Sequence, residues 1–329
     1  MKAKSATPIT IDELKRIFGP VREASLALNA LNRQQPVEAP RLTPQEVQSL
    51  ATKSGLHPQA IEEIEIRQQT EIFRIAEQRR MDAIKQSASA KKVLGSQAAA
   101  FVNGARAVPA IGNTVTRELL DSPILIWPTT RLNLDQSTIA PYNSIVKFHY
   151  HDDSGNSDKQ VGGSEQVSFF FQWQNRSRYP TAISVDGYLI FNGTTRTVVR
   201  GRWDLNKLMT TLAVYGELEV FGQWTSAPTL LSGDLVQAVG ELEETNGMFY
   251  QHSIDVPTNV FRGFDLQPSP NPIPVPGNGT VLLPLTVWIN YAIDSGSIDV
   301  DFSTDAFEVM TPGVLITNWN PVHTPPIKA

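Results

Sequence analysis

His149 and His151 are the residues in this sequence best placed for metal chemistry. In a β-strand, residues i and i+2 lie on the same face, so two imidazoles at this spacing can bind one metal ion. A third ligand is needed, and His252 and Glu165 are the donors that the strand-rich part offers elsewhere. Two solvent-facing histidines at a strand end would give the same pattern, and both interpretations stay open.

Asp299 and Asp301 alternate with the apolar residues of the segment 298–302. Carboxylate oxygens are ligands that calcium prefers, so a calcium site is one interpretation. The alternation is also typical of a strand with one side in water, which is the simpler interpretation.

Three of the six tryptophans are candidates for carbohydrate binding. Trp288 lies on the opposite strand phase to its apolar neighbours, and Trp203 and Trp319 lie beside turns. An indole ring combines a large apolar face with one polar atom, which suits stacking on a sugar. Trp173 and Trp224 share the phase of the apolar residues in their strands, which predicts that both lie in the core.

The other motifs do not indicate an enzyme. Glu217 and Glu219 alternate with apolar residues, which predicts one shared outer face, whereas a glycosidase needs two carboxylates that face each other across a cleft. The sequence contains no cysteine, no Gly-x-Ser-x-Gly motif, no phosphate-binding loop and no dinucleotide fingerprint. We therefore predict a non-enzymatic protein without a cofactor.

The N-terminal part of the chain carries the start and stop signals of helices. Thr10 and Glu13 form a capping box, and the Gly-Pro pair at 19 and 20 predicts the end of the first helix. A short helix follows, and another begins at residue 44, where a proline occupies the first helical position. From about Pro58 to Leu94 neither proline nor glycine occurs inside the segment, which predicts one long amphipathic helix.

The long helix carries an apolar stripe of isoleucines, which are Ile61, Ile64, Ile72, Ile75 and Ile84. Gln68 and Arg79 interrupt the stripe, so a regular coiled coil is not predicted. An apolar stripe needs a partner surface, and we predict that this one supports self-association. The segment 96–122 is rich in small residues and is predicted to be a loose helix or a connector.

After Pro123 the apolar period changes to two, which predicts half-buried antiparallel strands. About nine to eleven such strands over roughly 200 residues predict a sandwich of jelly-roll type. Pro284 lies inside one of them and predicts an edge or a bulge there. The predicted fold class is α+β, with a helical region at 1–95, a connector at 96–122 and an antiparallel β-sandwich domain at 123–329.

Charge is distributed unevenly along the chain. Residues 1–106 carry 16 Lys and Arg against 11 Asp and Glu, a net charge of +5, and the remainder carries 12 against 22, a net charge of −10. This favours helix-on-sandwich docking or assembly between copies over nucleic-acid binding, so no nucleic-acid partner is expected. Neither a signal peptide nor a transmembrane segment is visible, so we expect cytoplasmic synthesis and leave the final location open.

Three functions fit these observations. The leading hypothesis is a structural or interaction protein that self-assembles as a homo-oligomer, or joins a larger particle, through its helical region and sandwich surface. The strand-rich part has a general resemblance to sandwich proteins of phage, virus and toxin-like particles. The alternatives are a carbohydrate-binding sandwich module and a membrane-active toxin-like protein that inserts residues 98–111, although Asn103 and Arg106 disfavour insertion.

Overall fold

The computed structural model describes residues 10–33, 44–55, 57–107, 115–154, 161–199, 209–222, 228–245, 252–266 and 273–319. Three helices come first: α1 (Ile11–Arg33), α2 (Pro44–Lys53) and α3 (Pro58–Ala107). The strands that follow are β1 (Val115–Leu120), β2 (Leu125–Pro128), β3 (Leu134–Thr138), β4 (Ser144–Asp153), β5 (Val161–Gln174), β6 (Thr181–Val199), β7 (Met209–Gly222), β8 (Thr229–Thr245), β9 (His252–Leu266), β10 (Ile273–Val275), β11 (Thr280–Ile293), β12 (Gly296–Asp301), β13 (Glu308–Thr311) and β14 (Val314–Trp319).

The strands form two antiparallel sheets. Sheet A has nine strands along the path β1-β14-β6-β12-β4-β13, with β3 paired to β4 and with β9 and β10 paired to β6. Sheet B has five strands in the order β2-β5-β11-β7-β8. The predicted α+β class and the antiparallel sandwich are confirmed, while the jelly-roll connectivity stays a prediction.

The main core lies between the two sheets. Phe169 and Phe171 of β5 and Tyr291 of β11 are fully buried there. Phe191 and Phe302 approach from sheet A, with 5.9 Å between their ring centroids. Because successive strand residues point to opposite faces, the even-numbered residues of β5 and β11 form the outer face of sheet B.

Helix α1 packs on that outer face of sheet B. Leu14 and Phe18 are 0% and 4% exposed. They contact three apolar residues of the sheet, which are Phe170, Phe221 and Leu282. The predicted cap is present, since the Glu13 N–H donates to Thr10 Oγ1 at 3.2 Å.

The predicted end of the first helix at residues 19 and 20 is wrong. Helix α1 continues through Pro20 to Arg33. A proline inside a helix removes one backbone hydrogen bond and crowds the preceding turn. Phe18 before the proline and Arg22 after it are both buried against the sandwich. Tertiary packing on both sides of Pro20 therefore stabilises the continuous helix.

Helix α3 packs on the outer face of sheet A and is longer than predicted. It continues to Ala107, and the segment 115–120 forms β1, so much of the predicted connector has regular structure. Alanine is the best helix former, and Ala98 packs with Leu94 against Ile190 and Met310. Small residues here let the helix lie close to the sheet. The division of the chain at 95 and 122 stays a prediction.

Pro284 was predicted to mark an edge or a bulge, and the structure shows neither, since the register with β7 is the same on both sides of it. Strand β11 lies in the middle of sheet B, paired with β5 on one side and β7 on the other. The ladder with β7 passes from Leu282 to Leu285 without pairing the two residues between them. The missing N–H of proline falls in this interruption, which explains how a central strand accommodates it.

The helices and sheets together form four layers, with α1 and α3 on opposite outer faces. Within the described part of the chain, none of the helices is long and apolar enough to cross a membrane.

Candidate functional site on the sandwich surfaces

The first half of the contact between α3 and sheet A is polar. Arg80 Nη2 donates to Asp301 Oδ2 at 3.2 Å, and the Asn192 side-chain amide donates to the carbonyl of Ser87 at 3.2 Å. Asp301 is 1% exposed although it was predicted to lie on the wet side of a strand. That prediction is wrong because α3 covers this part of sheet A.

The second half of the same contact is apolar and aromatic. Leu94 packs against Ile190, and the ring centroids of Phe101 and Tyr188 are 4.2 Å apart. Residues 80, 87, 94 and 101 are spaced by seven, which is close to two helical turns. They form a contact line that sequence reasoning missed, because half of its members are polar.

Two further contacts hold α3. Lys91 Nζ donates to the buried carboxylate of Glu308 at 2.6 Å. The guanidinium of Arg106 lies 4.4 Å from the ring centroid of Tyr142, which is a cation–π contact. The basic second half of α3 is thus attached to sheet A by charge as well as by packing.

Two side chains of the predicted self-association stripe, Ile75 and Ile84, belong to the described part of the chain. Ile75 is 41% exposed, whereas the next residue, Ala76, is 3% exposed. Met81 and Val93 are also exposed, at 42% and 60%. Ile84 is half-buried. The backbone positions 61, 64 and 72 lie in α3, but their side chains lie outside the described part.

The predicted metal-binding pair shares a carboxylate. Asp299 Oδ2 lies 2.8 Å from His149 Nε2 and 3.5 Å from His151 Nδ1. The hydrogen bond to Asp299 raises the pKa of both imidazoles, and the two histidines hold the pKa of Asp299 well below its ordinary value although burial would raise it. Among the described residues, no three His, Asp or Glu side chains are grouped to hold one ion. A metal at this pair stays a prediction.

Trp288 lies on the outer phase of β11 as predicted, but it is only 5% exposed. Its ring N–H donates to Glu217 Oε2 at 2.6 Å, and its ring stacks on Tyr215 with centroids 6.1 Å apart. Because the indole ring is buried, its faces are not accessible for stacking on a sugar. Carbohydrate stacking on Trp288 therefore gains no support from its placement.

The other tryptophans differ in exposure. Trp319, at the end of β14, is 43% exposed, with its ring N–H directed to Ser184 at 3.4 Å. Trp173 is 5% exposed in the core, as predicted. Trp203 and Trp224 lie outside the described residues.

Glu217 and Glu219 share the outer side of β7, as predicted. Burial raises the pKa of Glu219 to about 8, and the nearby charge of Glu217 adds to this effect. Burial also raises the pKa of Glu217, against the hydrogen bond from Trp288. Two neighbours on one strand do not face each other across a cleft, so they lack the arrangement that glycosidases need.

A polar cluster that sequence reasoning missed lies at one end of the core. The hydroxyls of Tyr150 and Tyr291 are 2.6 Å apart, and Tyr291 donates to Asp152 at 2.6 Å. Arg131 donates to Asp152 at 2.8 Å and lies 3.5 Å from Glu165. Burial and the bond to Asp152 raise the pKa of Tyr291 to about 12. These groups satisfy one another and close the core. Alternation along a strand does not distinguish Tyr291 from its apolar neighbours, so the sequence pattern did not reveal the cluster.

Sequence reasoning also did not identify Arg22 of α1 as a contact residue. It is 9% exposed, its guanidinium lies 4.6 Å from the Trp127 ring centroid, and it donates to the carbonyls of Trp127 and Gln166 at 2.7 and 3.2 Å. Burial lowers its pKa to about 10. Arg22 thus binds the backbone of β2 and of β5 in sheet B and fixes α1 there.

No protein-family model matches the chain, and no curated protein matches it. Solved structures with some similarity include the carbohydrate-binding module TmCBM61 in complex with β-1,4-galactotriose, at 10% identity and TM-score 0.22, covering 58% of this chain and 86% of that one. The mannan-recognising module TmCBM27 has 12% identity and TM-score 0.15, covering 61% and 95%. A structure of infectious bursal disease virus, Gt strain, has 14% identity and TM-score 0.13, covering 58% and 46%. Binding modules and virus structures thus occur side by side, and scores this low support no functional argument.

Proposed function

We propose that this protein is a non-enzymatic structural protein that self-assembles, and that α3 supplies the contact between copies. The observation that carries the proposal is the exposure of Ile75 at 41% in a helix whose next residue, Ala76, is 3% exposed. The helix has 50 residues, so it is about 75 Å long. An apolar stripe at its edge is suited to a partner surface.

The first part of α3 offers the room for such a partner. The described side chains before Ala76 are all exposed; they are Glu63, Arg67, Thr70, Glu71, Arg74 and Ile75. Among the side chains of α3 that the structure describes, the buried ones appear from Ala76 onward. These exposed side chains lie on the part of α3 where we propose that a second copy docks, while the later part stays on its own sandwich.

Replacing Ile75 by Glu is expected to weaken self-association by about 100-fold or more. Burying an isoleucine contributes roughly 1.5–3 kcal/mol, and a symmetric interface loses that amount twice. Each 1.4 kcal/mol corresponds to about a tenfold change in Kd. Light scattering on a size-exclusion column, over a concentration series, measures the change.

Thr70→Glu is the matched control. It adds the same charge to an exposed position of the same helix, five residues away and therefore on another side. We expect this variant to associate like the unchanged protein. A strictly monomeric unchanged protein at high concentration would overturn the proposal, as would equal association of both variants.

Carbohydrate binding is the second candidate, and the exposure of Trp319 favours it. An exposed indole beside the hydroxyl of Ser184 offers an apolar face and a polar neighbour, which is the combination that a sugar requires.

If Trp319 binds a sugar, Trp319→Ala abolishes glycan-array binding and the glycan-induced change in tryptophan fluorescence. Ile139→Ala, which shortens an equally exposed apolar side chain elsewhere, leaves both unchanged. Silence of the unchanged protein across a broad array would remove this candidate.

A further inference from the structure

Trp319 shares the outer face of sheet A with an exposed arginine. Trp319 of β14 pairs with Val115 of β1, and Thr317 pairs with Arg117. Residues two positions apart on a strand lie on the same face, so Arg117 is the diagonal neighbour of Trp319. Both side chains are exposed, Trp319 at 43%. Within the part of the chain that the structure describes, no carboxylate pairs with Arg117, so its charge is available to a ligand beside the indole.

The loop 175–180 borders both Trp319 and β1. At its start, Arg176 Nη2 lies 4.0 Å from Glu118 Oε1 of β1. Just after its end, Thr181 Oγ1 donates to the carbonyl of Trp319 at 3.1 Å. The loop therefore lies at the same corner of the sandwich as the exposed indole.

One buried side chain holds this loop in shape. Asn175 is 1% exposed, its amide donates to the carbonyl of Tyr179 at 2.9 Å, and its Oδ1 accepts the N–H of Ser177 at 3.0 Å. Arg178 and Tyr179 are exposed on the loop, with the guanidinium 4.7 Å from the ring centroid. A loop that is ordered before binding loses little conformational entropy when a ligand binds.

The corner presents two exposed aromatic rings and three exposed arginines, which are Trp319, Tyr179, Arg117, Arg176 and Arg178. The rings offer apolar faces for stacking, and the planar guanidinium groups offer paired N–H donors that match an oxyanion. A nucleic acid strand needs a longer basic track, whereas the chain after residue 106 carries 12 Lys and Arg against 22 Asp and Glu. Three arginines at one corner suit separate acidic groups on a sugar instead.

We propose that this corner binds an acidic glycan, one that carries carboxylate or sulfate groups. Its sugar rings stack on Trp319 and Tyr179, and its acidic groups accept hydrogen bonds from the three arginines. This inference rests on carbohydrate binding, the second candidate function, and specifies the class of glycan.

Pairs of oligosaccharides that differ in charge alone test this class of ligand. Suitable pairs are oligogalacturonates with their methyl esters, and sulfated galacto-oligosaccharides with their desulfated forms. We expect the charged member of at least one pair to bind about tenfold more tightly, because charge-assisted hydrogen bonds are the strong ones. Its affinity should fall as the salt concentration rises, since salt screens exposed charges.

Arg117→Gln/Arg178→Gln removes two charges of the corner and keeps polar side chains of similar length. This variant is expected to bind the charged oligosaccharide about tenfold more weakly and to bind both members of a pair equally. Arg16→Gln/Arg67→Gln, which removes two exposed charges of the helices, is the matched control and should bind like the unchanged protein. Thermal unfolding of both variants confirms that each is folded.

The outcomes separate this inference from the candidate function on which it rests. Equal binding of the charged and neutral members by the unchanged protein would overturn the inference and leave carbohydrate binding in place. An equal loss in both double variants would show unspecific attraction by charge and overturn it as well, as would preference for a single-stranded oligonucleotide over every glycan. Silence toward all glycans would remove both.

Discussion

Replacing Asp301 by Ala is expected to lower the free energy of unfolding by about 3–5 kcal/mol and to release α3 from sheet A. The carboxylate is 1% exposed and accepts hydrogen bonds from the backbone N–H groups of Ser303 and Thr304 at 2.9 and 3.0 Å. It also binds the Thr304 hydroxyl at 2.6 Å and Arg80 at 3.2 Å. Removing it leaves these donors without their acceptor, which is the costly way to break a buried charged network.

Urea denaturation measures the loss of stability, and hydrogen exchange along α3 reports the release. The exposed Asp135→Ala is the control for loss of one carboxylate and should change stability by less than about 0.5 kcal/mol. Arg80→Ala should cost less than Asp301→Ala, because Arg80 is 31% exposed and its pairing is partly screened. If the amides of α3 kept the same protection from hydrogen exchange in Asp301→Ala, the hydrogen-bond network around Asp301 would not be what holds the helix.

The difference between unchanged protein and Asp301→Ala should also depend on pH. Burial would raise the pKa of Asp301, but the hydrogen bonds from Thr304, Ser303 and Arg80 outweigh burial and leave the pKa below its ordinary value. A carboxyl with a lowered folded-state pKa stabilises the fold above its unfolded pKa, near 3.9, and this contribution is lost as pH falls through the folded pKa. The difference in the free energy of unfolding between the unchanged protein and Asp301→Ala should therefore be largest at pH 7 and become smaller below about pH 4.

Replacing Phe18 by Ala is expected to weaken the docking of α1 by about 3–5 kcal/mol. The ring is 4% exposed and forms edge-to-face contacts with Phe221 and Phe170, with centroids 4.9 and 5.9 Å apart. Its loss leaves a cavity between α1 and sheet B, and only Leu14 and the partly buried Ile17 then hold that end of the helix in the apolar cluster. We expect faster hydrogen exchange in α1 and a red shift of the fluorescence of Trp127, which packs against the same cluster.

Ile11→Ala is the matched control because it shortens an apolar side chain of the same helix that is 47% exposed. Its effect should stay within about 0.5 kcal/mol. Phe18→Leu, which keeps much of the volume, should give an intermediate loss. If α1 kept its protection in Phe18→Ala, the docking of this helix would depend on Arg22 and its backbone contacts instead.

The local sequence pattern was sufficient to predict the order and type of the secondary-structure elements. The capping box at Thr10, the long helix beginning at Pro58 and the change to period two after Pro123 all predict what the structure contains, since propensity, capping and periodicity act over a few residues. The shared outer face of Glu217 and Glu219 follows from the same period.

Whether a given face of a strand or helix is buried was decided by long-range contacts, because these determine what packs on it. The sequence by itself determined the α+β class and the long continuous helix that begins at Pro58, because both depend on neighbours along the chain. Only the tertiary structure decided that Pro20 and Pro284 are accommodated, that Trp288 and Asp301 are buried, and that α3 contacts sheet A through residues spaced by seven. The physical reason is that burial of a polar or aromatic residue depends on partners distant in the chain, 71 positions away for Trp288 and Glu217 and 221 for Asp301 and Arg80, and period alone does not identify them.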